Sequence, residues 1–318
     1  RLDYTDSSCP ALLLEPQRTN LISYSEYFEG SYWNTNSNAL RSLSSNLSPE
    51  GTANAYRIEA VSGTQVGYVG VTTIGTTITH SVYVRRISGS TTFDMVDVNN
   101  VSTQVDITND WKRFSVTASA TSTNLRSYLR LNQIGDVVEI FGFQAEAGSY
   151  ATSYIPTYGT SVTRNADACL GAGDANTFNS TEGVLYWEGS FDSTSTIAGA
   201  IALIGGGSNR VQLYNSGTSL VALIQVNGSV IWSQSTSGTI DITSNHKYAV
   251  KWALNDFALW IDGVEFAVNS SGATFSDSDL TELRFSDFGA SYLYAKTNQV
   301  LTFNTALSDT ELADLTTI

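Results

Sequence analysis

The chain has 318 residues, and its 16 basic and 30 acidic side chains give a formal net charge of −14. Charged residues are only 14% and aromatics 11%, while Ser, Thr, Asn and Gly abound and Lys is rare, which is an all-β extracellular composition and not that of a helical protein. Residues 1–164 carry eleven basic and fourteen acidic side chains and residues 165–318 five and sixteen, so the second half is strongly acidic and argues against nucleic acid, whose phosphates need Lys/Arg clusters.

In chain order, residues 11–24 give two apolar runs broken by Pro16, and residues 48–56 (SPEGTANAY) form a turn by composition. Strand-like segments follow at 55–61, 66–74, 78–87, 91–98, 101–107, 112–119, 125–132 and 137–147, separated by Gly, Asn or Ser clusters. In the last, Phe141, Phe143, Ala145 and Ala147 alternate with Gly or polar residues, which predicts a half-buried strand. Gly148 ends it, and Pro156 holds Ile155 extended, so residues 152–157 read as a stretched connector. Strands resume at 184–191, 197–204, 210–214, 219–226, 229–234, 247–254 and 257–261. Asp262-Gly263 between apolar runs predicts a hairpin. Ser308 and Glu311 form a capping box for one short helix over 308–315, with Leu312 and Leu315 as its apolar stripe.

Several of these segments carry more than periodicity. LLLEPQRTNL in the opening run, residues 48–56 (SPEGTANAY) as a likeness of the P-x-G-T-x-A element, and GFQAEAGSYATSYIPT followed by TRNAD resemble bacteriophage and prophage virion proteins. In that family a carbohydrate-binding-module-like jelly roll precedes a concanavalin A/LamG-like jelly roll. Residues 246–263 (HKYAVKWALNDFALWIDG) resemble the central LamG-like strands, and the ending ALSDTELADL also fits. The resemblance spans almost the whole chain. The expected fold is all-β: two tandem antiparallel β-sandwich (jelly-roll) domains with one short C-terminal helix. Residues 1–160 form the first domain, with a lead-in over 1–10, and residues 161–318 the second.

No run of about eighteen apolar residues exists, so no membrane-spanning helix is expected. The chain opens on Arg1 without a signal-type segment and reads as a fragment or processed chain. Cys9 and Cys169 lack metal-type spacing, which argues against zinc, and both thiols are expected free. Five Asn-x-Ser/Thr sequons, at Asn46, Asn100, Asn179, Asn227 and Asn269, read as coincidence in so Asn-rich a chain.

The fold does not decide catalysis. A retaining glycanase needs two carboxylates about 5 Å apart. Glu188 and Asp192 in YWEGSFD are the nearest approach, but they lack a middle carboxylate. Asp94 and Asp97 face opposite sides of a strand, and His80 and His246 accompany no nucleophile motif. The chain is read as non-catalytic.

A sugar site needs rings and planar hydrogen-bonding groups on an outward face or on loops. In 81–85 Val82 and Val84 point in, leaving Tyr83 and Arg85 outward; in 127–132 Leu129 and Leu131 point in, leaving Tyr128, Arg130 and Asn132 outward. If the strands share a sheet, Tyr83, Arg85, Tyr128 and Arg130 form one glycan-binding patch. The alternative is cross-strand pairing with Asp or Glu that structures a surface and binds nothing. Trp33 and Trp111 read as core, as do most of Trp187, Trp232, Trp252 and Trp260. By analogy with carbohydrate-binding jelly rolls, Glu146 with Asn20 or Glu26 is a candidate set for a structural calcium.

The expected function is a phage tail or head fibre protein on the virion surface that binds host-surface polysaccharide. Its expected partners are other virion proteins and copies of itself, a trimer being favoured, without nucleic acid or membrane insertion. The rivals are a purely structural decoration or adaptor protein and a secreted glycanase-associated module.

Overall fold

The computed structural model describes residues 2–3, 8–33, 39–62, 64–192, 194, 199–286 and 292–318. The chain is all-β with one α-helix among the described residues, as its composition requires. It divides into two compact units, Gln17–Asn165 and Arg1–Pro16 with Ala166–Ile318. No helix among the described residues is long and apolar enough to cross a membrane.

In the Gln17–Asn165 unit a five-stranded antiparallel sheet runs in the order Lys112–Ser119, Thr77–Ser88, Val137–Ala147, Tyr56–Ala60, Ala39–Leu43. A four-stranded sheet runs Gln65–Val71, Asn124–Leu131, Thr92–Val96, Ser102–Asp106. Period-two alternation turns Ile58, Val82, Val84 and Ile140 of the first sheet and Phe93, Met95, Leu125 and Leu129 of the second into one core. Phe28, Trp33 and Phe143 join that core, with Trp33 4.6 Å from Phe28 and 5.2 Å from Phe143 between ring centroids. Each such side chain contributes about 1.5–3 kcal/mol by leaving water.

The strand expected to be half-buried, Val137–Ala147, is buried on both faces except at its last residue. It is the middle strand of its sheet, and a bulge breaks its period. Val138 and Ile140 face the core before the bulge, and Phe143 and Ala145 face it after. Gly142, at φ +64°, absorbs the extra residue, so Phe141 lands on the outer face opposite Tyr83. Simple alternation would have put Phe141 beside Phe143.

The other unit pairs a seven-stranded sheet with a five-stranded one. The first runs Leu2–Asp3, Ala11–Leu14, Ala295–Phe303, Gly183–Phe191, His246–Ala253, Asp256–Ile261, Val264–Asn269; the second runs Ser229–Ser235, Ser219–Val226, Asn209–Ser216, Ala200–Gly205, Glu282–Arg284. Trp187 stacks on Tyr248 at 5.2 Å inside a core shared with Leu203, Leu213, Trp232 and Trp252. The Asp262-Gly263 hairpin forms as predicted, both residues taking positive φ. The helix Asp309–Thr316 carries the predicted capping box, and its Leu312 packs on Val184, Tyr186 and Trp260 on the outer face of the larger sheet. Trp260 thus lies under the helix.

The assignment of residues 1–160 to one unit differs from this division. Leu12 pairs with Thr297, and Leu14 enters the core of the 166–318 unit, so the first sixteen residues belong there. An isolated apolar run declares that it is buried but not which sheet it joins. The strand Arg18–Asn20 then pairs with Val162–Arg164, which sets the two ends of the Gln17–Asn165 unit side by side.

Candidate functional site

Alternation places Tyr83, Arg85, Tyr128 and Arg130 outward, each half-buried; Tyr83, Tyr128 and Arg130 lie between buried neighbours, and Arg85 follows buried Val84. They do not form one patch. Tyr83 and Arg85 lie in the five-stranded sheet and Tyr128 and Arg130 in the four-stranded sheet. Both strands turn their apolar residues to the same core, so their polar faces look away from each other. Period two fixes which side of a strand a residue occupies; it does not fix which sheet the strand joins.

The Tyr128 face is structural in character. Tyr128 lies flat against Gly67 of the edge strand: a Cβ at 67 would sit 1.4 Å from Tyr128 Cδ1. Arg130 donates through Nη2 to Gln65 Oε1 at 3.2 Å and through Nη1 to Ser102 Oγ at 3.0 Å. Asn132 Nδ2 donates to the Thr92 carbonyl at 3.0 Å. These are cross-strand ties, but they are made with amide, hydroxyl and carbonyl acceptors and not with the Asp or Glu of the alternative reading.

The Tyr83 face is built differently. Arg85 donates through Nε and Nη2 to Glu139 Oε2 at 2.8 and 2.6 Å, and its guanidinium lies 4.9 Å over the Trp111 ring. Ser44 Oγ and Asn46 Nδ2 donate to Glu139 Oε1 at 2.5 and 2.7 Å. Burial alone would raise the Glu139 carboxyl, but the bonds from Ser44, Asn46 and Arg85, with the Arg85 charge, hold it below the usual carboxylate range. Trp111, expected in the core, is only half-buried at the start of its strand, with Nε1 donating to the Leu47 carbonyl at 3.0 Å. Trp33 is buried, as expected. The Arg113 guanidinium stands 5.5 Å over the Tyr83 ring and donates to the Thr152 carbonyl at 2.6 Å and Ser81 Oγ at 2.8 Å. Tyr83, Phe141 and Tyr154 follow one another at 6.1 and 5.3 Å between centroids.

Residues 149–158 flank this face and are fastened to it, not strung as a plain connector. The buried Glu146 accepts at Oε1 from Thr152 N at 2.8 Å and Gln144 Nε2 at 2.7 Å, and at Oε2 from Thr152 Oγ1 at 2.6 Å; Arg18 stands 3.6 Å away. Gln144 Oε1 accepts from Ile155 N at 2.7 Å, and Asn20 Nδ2 donates to the Ile155 carbonyl at 2.9 Å.

The calcium assignment to Glu146, Asn20 and Glu26 is corrected on these contacts. Both Glu146 oxygens are taken by protein donors, and Asn20 Oδ1 accepts from Ile22 N and Ala145 N at 3.1 and 3.2 Å. Glu26 is held by Tyr154, Tyr158 and Asn54. No group of three acidic, His or Cys side chains suited to a metal exists among the described residues. The set does not fit calcium, which wants several converging oxygens free of other donors.

In the other unit Glu188 accepts from the Tyr186 hydroxyl at 3.1 Å and from Asn245 and Asn298 at 3.3 and 3.4 Å. It lines a cleft of about 930 Å³ with Asp192, Ser190, Lys296 and Gln299. Cys9 is exposed and Cys169 half-buried, and they are not joined in a disulfide.

No family model matches the sequence, and no curated protein matches it. Among solved structures, the chain is similar to a leech intramolecular trans-sialidase at 14% identity, over 44% of this chain and 24% of that one, with a TM-score of 0.36. A CBM4 structure matches at 15% identity over 46% of this chain and 92% of that one, with a TM-score of 0.28. A SAP-like pentraxin from Limulus polyphemus matches at 12% identity over 42% and 68%, with a TM-score of 0.32. The chain spans about a quarter of the length of the trans-sialidase. TM-scores this low carry no argument about what the chain binds.

Proposed function

We propose that the chain is a non-catalytic glycan-binding protein of a bacteriophage virion surface, a tail or head fibre or its distal part, attaching to host-surface polysaccharide. The observation that carries glycan binding is the outer face of the five-stranded sheet, where Trp111 and Tyr83 stand half-buried beside the Arg85–Glu139–Asn46 network. A sugar packs its C–H face on a ring and pairs its hydroxyls with planar polar groups. Fixed pairing of Arg85 and Arg113 within the protein favours a glycan without strong negative charge. The virion setting, with other virion proteins and a homotrimer as partners, rests on the resemblance carried by residues 11–24 and 141–157. The non-catalytic reading is supported by Glu188, whose carboxylate is engaged by a tyrosine and two carboxamides.

A structural virion component is the second reading. The exposed Val69, Val71 and Ile74, on and just beyond an edge strand, favour it, since such a rim invites a neighbouring subunit. Binding of the purified protein to host cells and to an array of bacterial polysaccharides separates the two. Binding that falls in a Tyr83→Ala/Trp111→Ala variant supports the first; self-association without any glycan or cell binding supports the second.

A further inference from the structure

Beside the Tyr83 face, the Gln17–Asn165 unit carries a second cluster that glycan stacking alone does not use. Glu26 is only 9% exposed, yet every group bonded to it is neutral. The Tyr154 hydroxyl donates to Oε1 at 3.0 Å, and the Tyr158 hydroxyl and Asn54 Nδ2 donate to Oε2 at 3.1 Å each. No Lys, Arg or His among the described residues pairs with Glu26 or with its neighbour Glu50. Burial and the Glu26 charge both push the Glu50 carboxyl up, as a negative potential without a counter-charge does. Asn54 Oδ1 is buried beside them without a hydrogen-bond partner.

Aromatic rings complete the cluster. Tyr24 lies 4.6 Å from Tyr32 and 6.4 Å from Tyr27 between centroids, and the Tyr24 and Tyr158 backbones form a bridge. Tyr27, Tyr32 and Tyr158 are 48%, 51% and 73% exposed. The core residues Phe28 and Trp33 anchor the loop that presents Tyr27 and Tyr32. Buried carboxylates are ordinarily paired with a cation. Ring faces with carboxylates behind them are the surroundings that hold an organic ammonium group.

We propose that this cluster is a subsite for a positively charged amino group, so that the glycan taken by the adjoining face is one with unacetylated amino sugars. Tyr154 joins the two: its ring follows Phe141 on the Tyr83 face, and its hydroxyl bonds Glu26. The ammonium would lie over the tyrosine rings, with Glu26 and Glu50 as counter-charges and Asn54 Oδ1 as acceptor for an N–H. The sugar part of this inference rests on the glycan reading above; the charged subsite does not.

The test is titration calorimetry of the full chain with glucosamine oligomers and N-acetylglucosamine oligomers of equal length, in mildly acidic low-salt buffer, with choline as a sugar-free probe. The free-amine oligomer is expected to bind about tenfold tighter than the acetylated one, the size of a desolvated cation–π contact with a counter-charge. Glu26→Gln should bring the ratio close to one. Glu50→Gln, on an exposed loop, should lower it part of the way even if the buried substitution harms folding. Equal binding of both oligomers by the wild type overturns the charged subsite and leaves the glycan reading standing. Choline binding that is lost in Glu50→Gln, with neither oligomer bound, keeps the subsite and removes the glycan. Binding of none of the three overturns the charged subsite, and the polysaccharide array then decides the glycan reading by itself.

Discussion

Tyr83 and Tyr128 occupy equivalent places: each stands two residues before an arginine, on the outer side of a strand whose apolar residues face one core. Around Tyr83 the neighbours on adjacent strands are Arg113 and Phe141, and Arg85 lies between Glu139 and Trp111. Around Tyr128 the neighbours are Val96 and Gly67, and over Gly67 the ring becomes a cover for bare backbone. The same spacing therefore yields a platform on one sheet and a seal on the other. Alternation sets the direction of a side chain; the residue across the ladder sets its work.

The strongest way to break the comparison is to remove what holds the platform's flank. Glu146→Ala deletes three hydrogen bonds to a buried carboxylate and should cost about 3 kcal/mol of stability, read as a shift of the urea midpoint. It should also abolish glycan binding by freeing Thr152 and Tyr154. Unchanged stability would mean that the 149–158 segment is held by something else.

Acid probes the core that the two strands share. His80 is buried, and burial lowers its pKa from 6.5 to about 4. The unfolded chain therefore takes up the proton first. The stabilising contribution of neutral His80 is fully present above pH 6.5 and falls away as the pH drops towards 4. The loss should be on the order of 3 kcal/mol, and a His80→Leu variant should show a flatter profile over that range. Equal slopes in the two proteins would mean that His80 is solvated.

The binding comparison itself is sharpened by paired substitutions. Tyr83→Ala with Trp111→Ala should weaken glycan binding at least about tenfold, at roughly 1 kcal/mol per ring, with little change in Tm. Tyr128→Ala should leave binding intact and destabilise the chain by about 1 kcal/mol through uncovering Gly67. The opposite pattern would move the binding face to the four-stranded sheet.

Much of the fold was legible in the sequence because strands of five to twelve residues with clear alternation leave little choice; the Thr77–Ser88 and Asn124–Leu131 strands lie where their patterns predict. The strand Ala295–Phe303 was missed because its polar Lys296–Gln299 stretch hides the period. Ala39–Leu43, an edge strand with three exposed residues, gave no pattern either. The candidate site was legible only in part. Tyr83 and Arg85 follow from alternation, but Phe141 reaches the same face through a bulge, and Gly142 within an apolar run was its one available sign. The tyrosines at 24, 27, 32 and 158 lie in irregular segments, where sequence carries no face. The density of the first three in SYSEYFEGSYW was the signal available.

The pairing of Leu12 with Thr297 sets an order of events on the ribosome. The Gln17–Asn165 unit has all its strands once Asn165 has emerged, including the Arg18–Asn20 and Val162–Arg164 pair that shuts its ends. Ala11–Leu14, an apolar strand, must wait for its long-range partner until residues 295–297 have been made. Synthesis halted before residue 295 therefore leaves a folded 17–165 module on a chain whose Ala11–Leu14 strand still lacks its 295–297 partner, the kind of segment that nascent-chain chaperones hold and that aggregates when they do not.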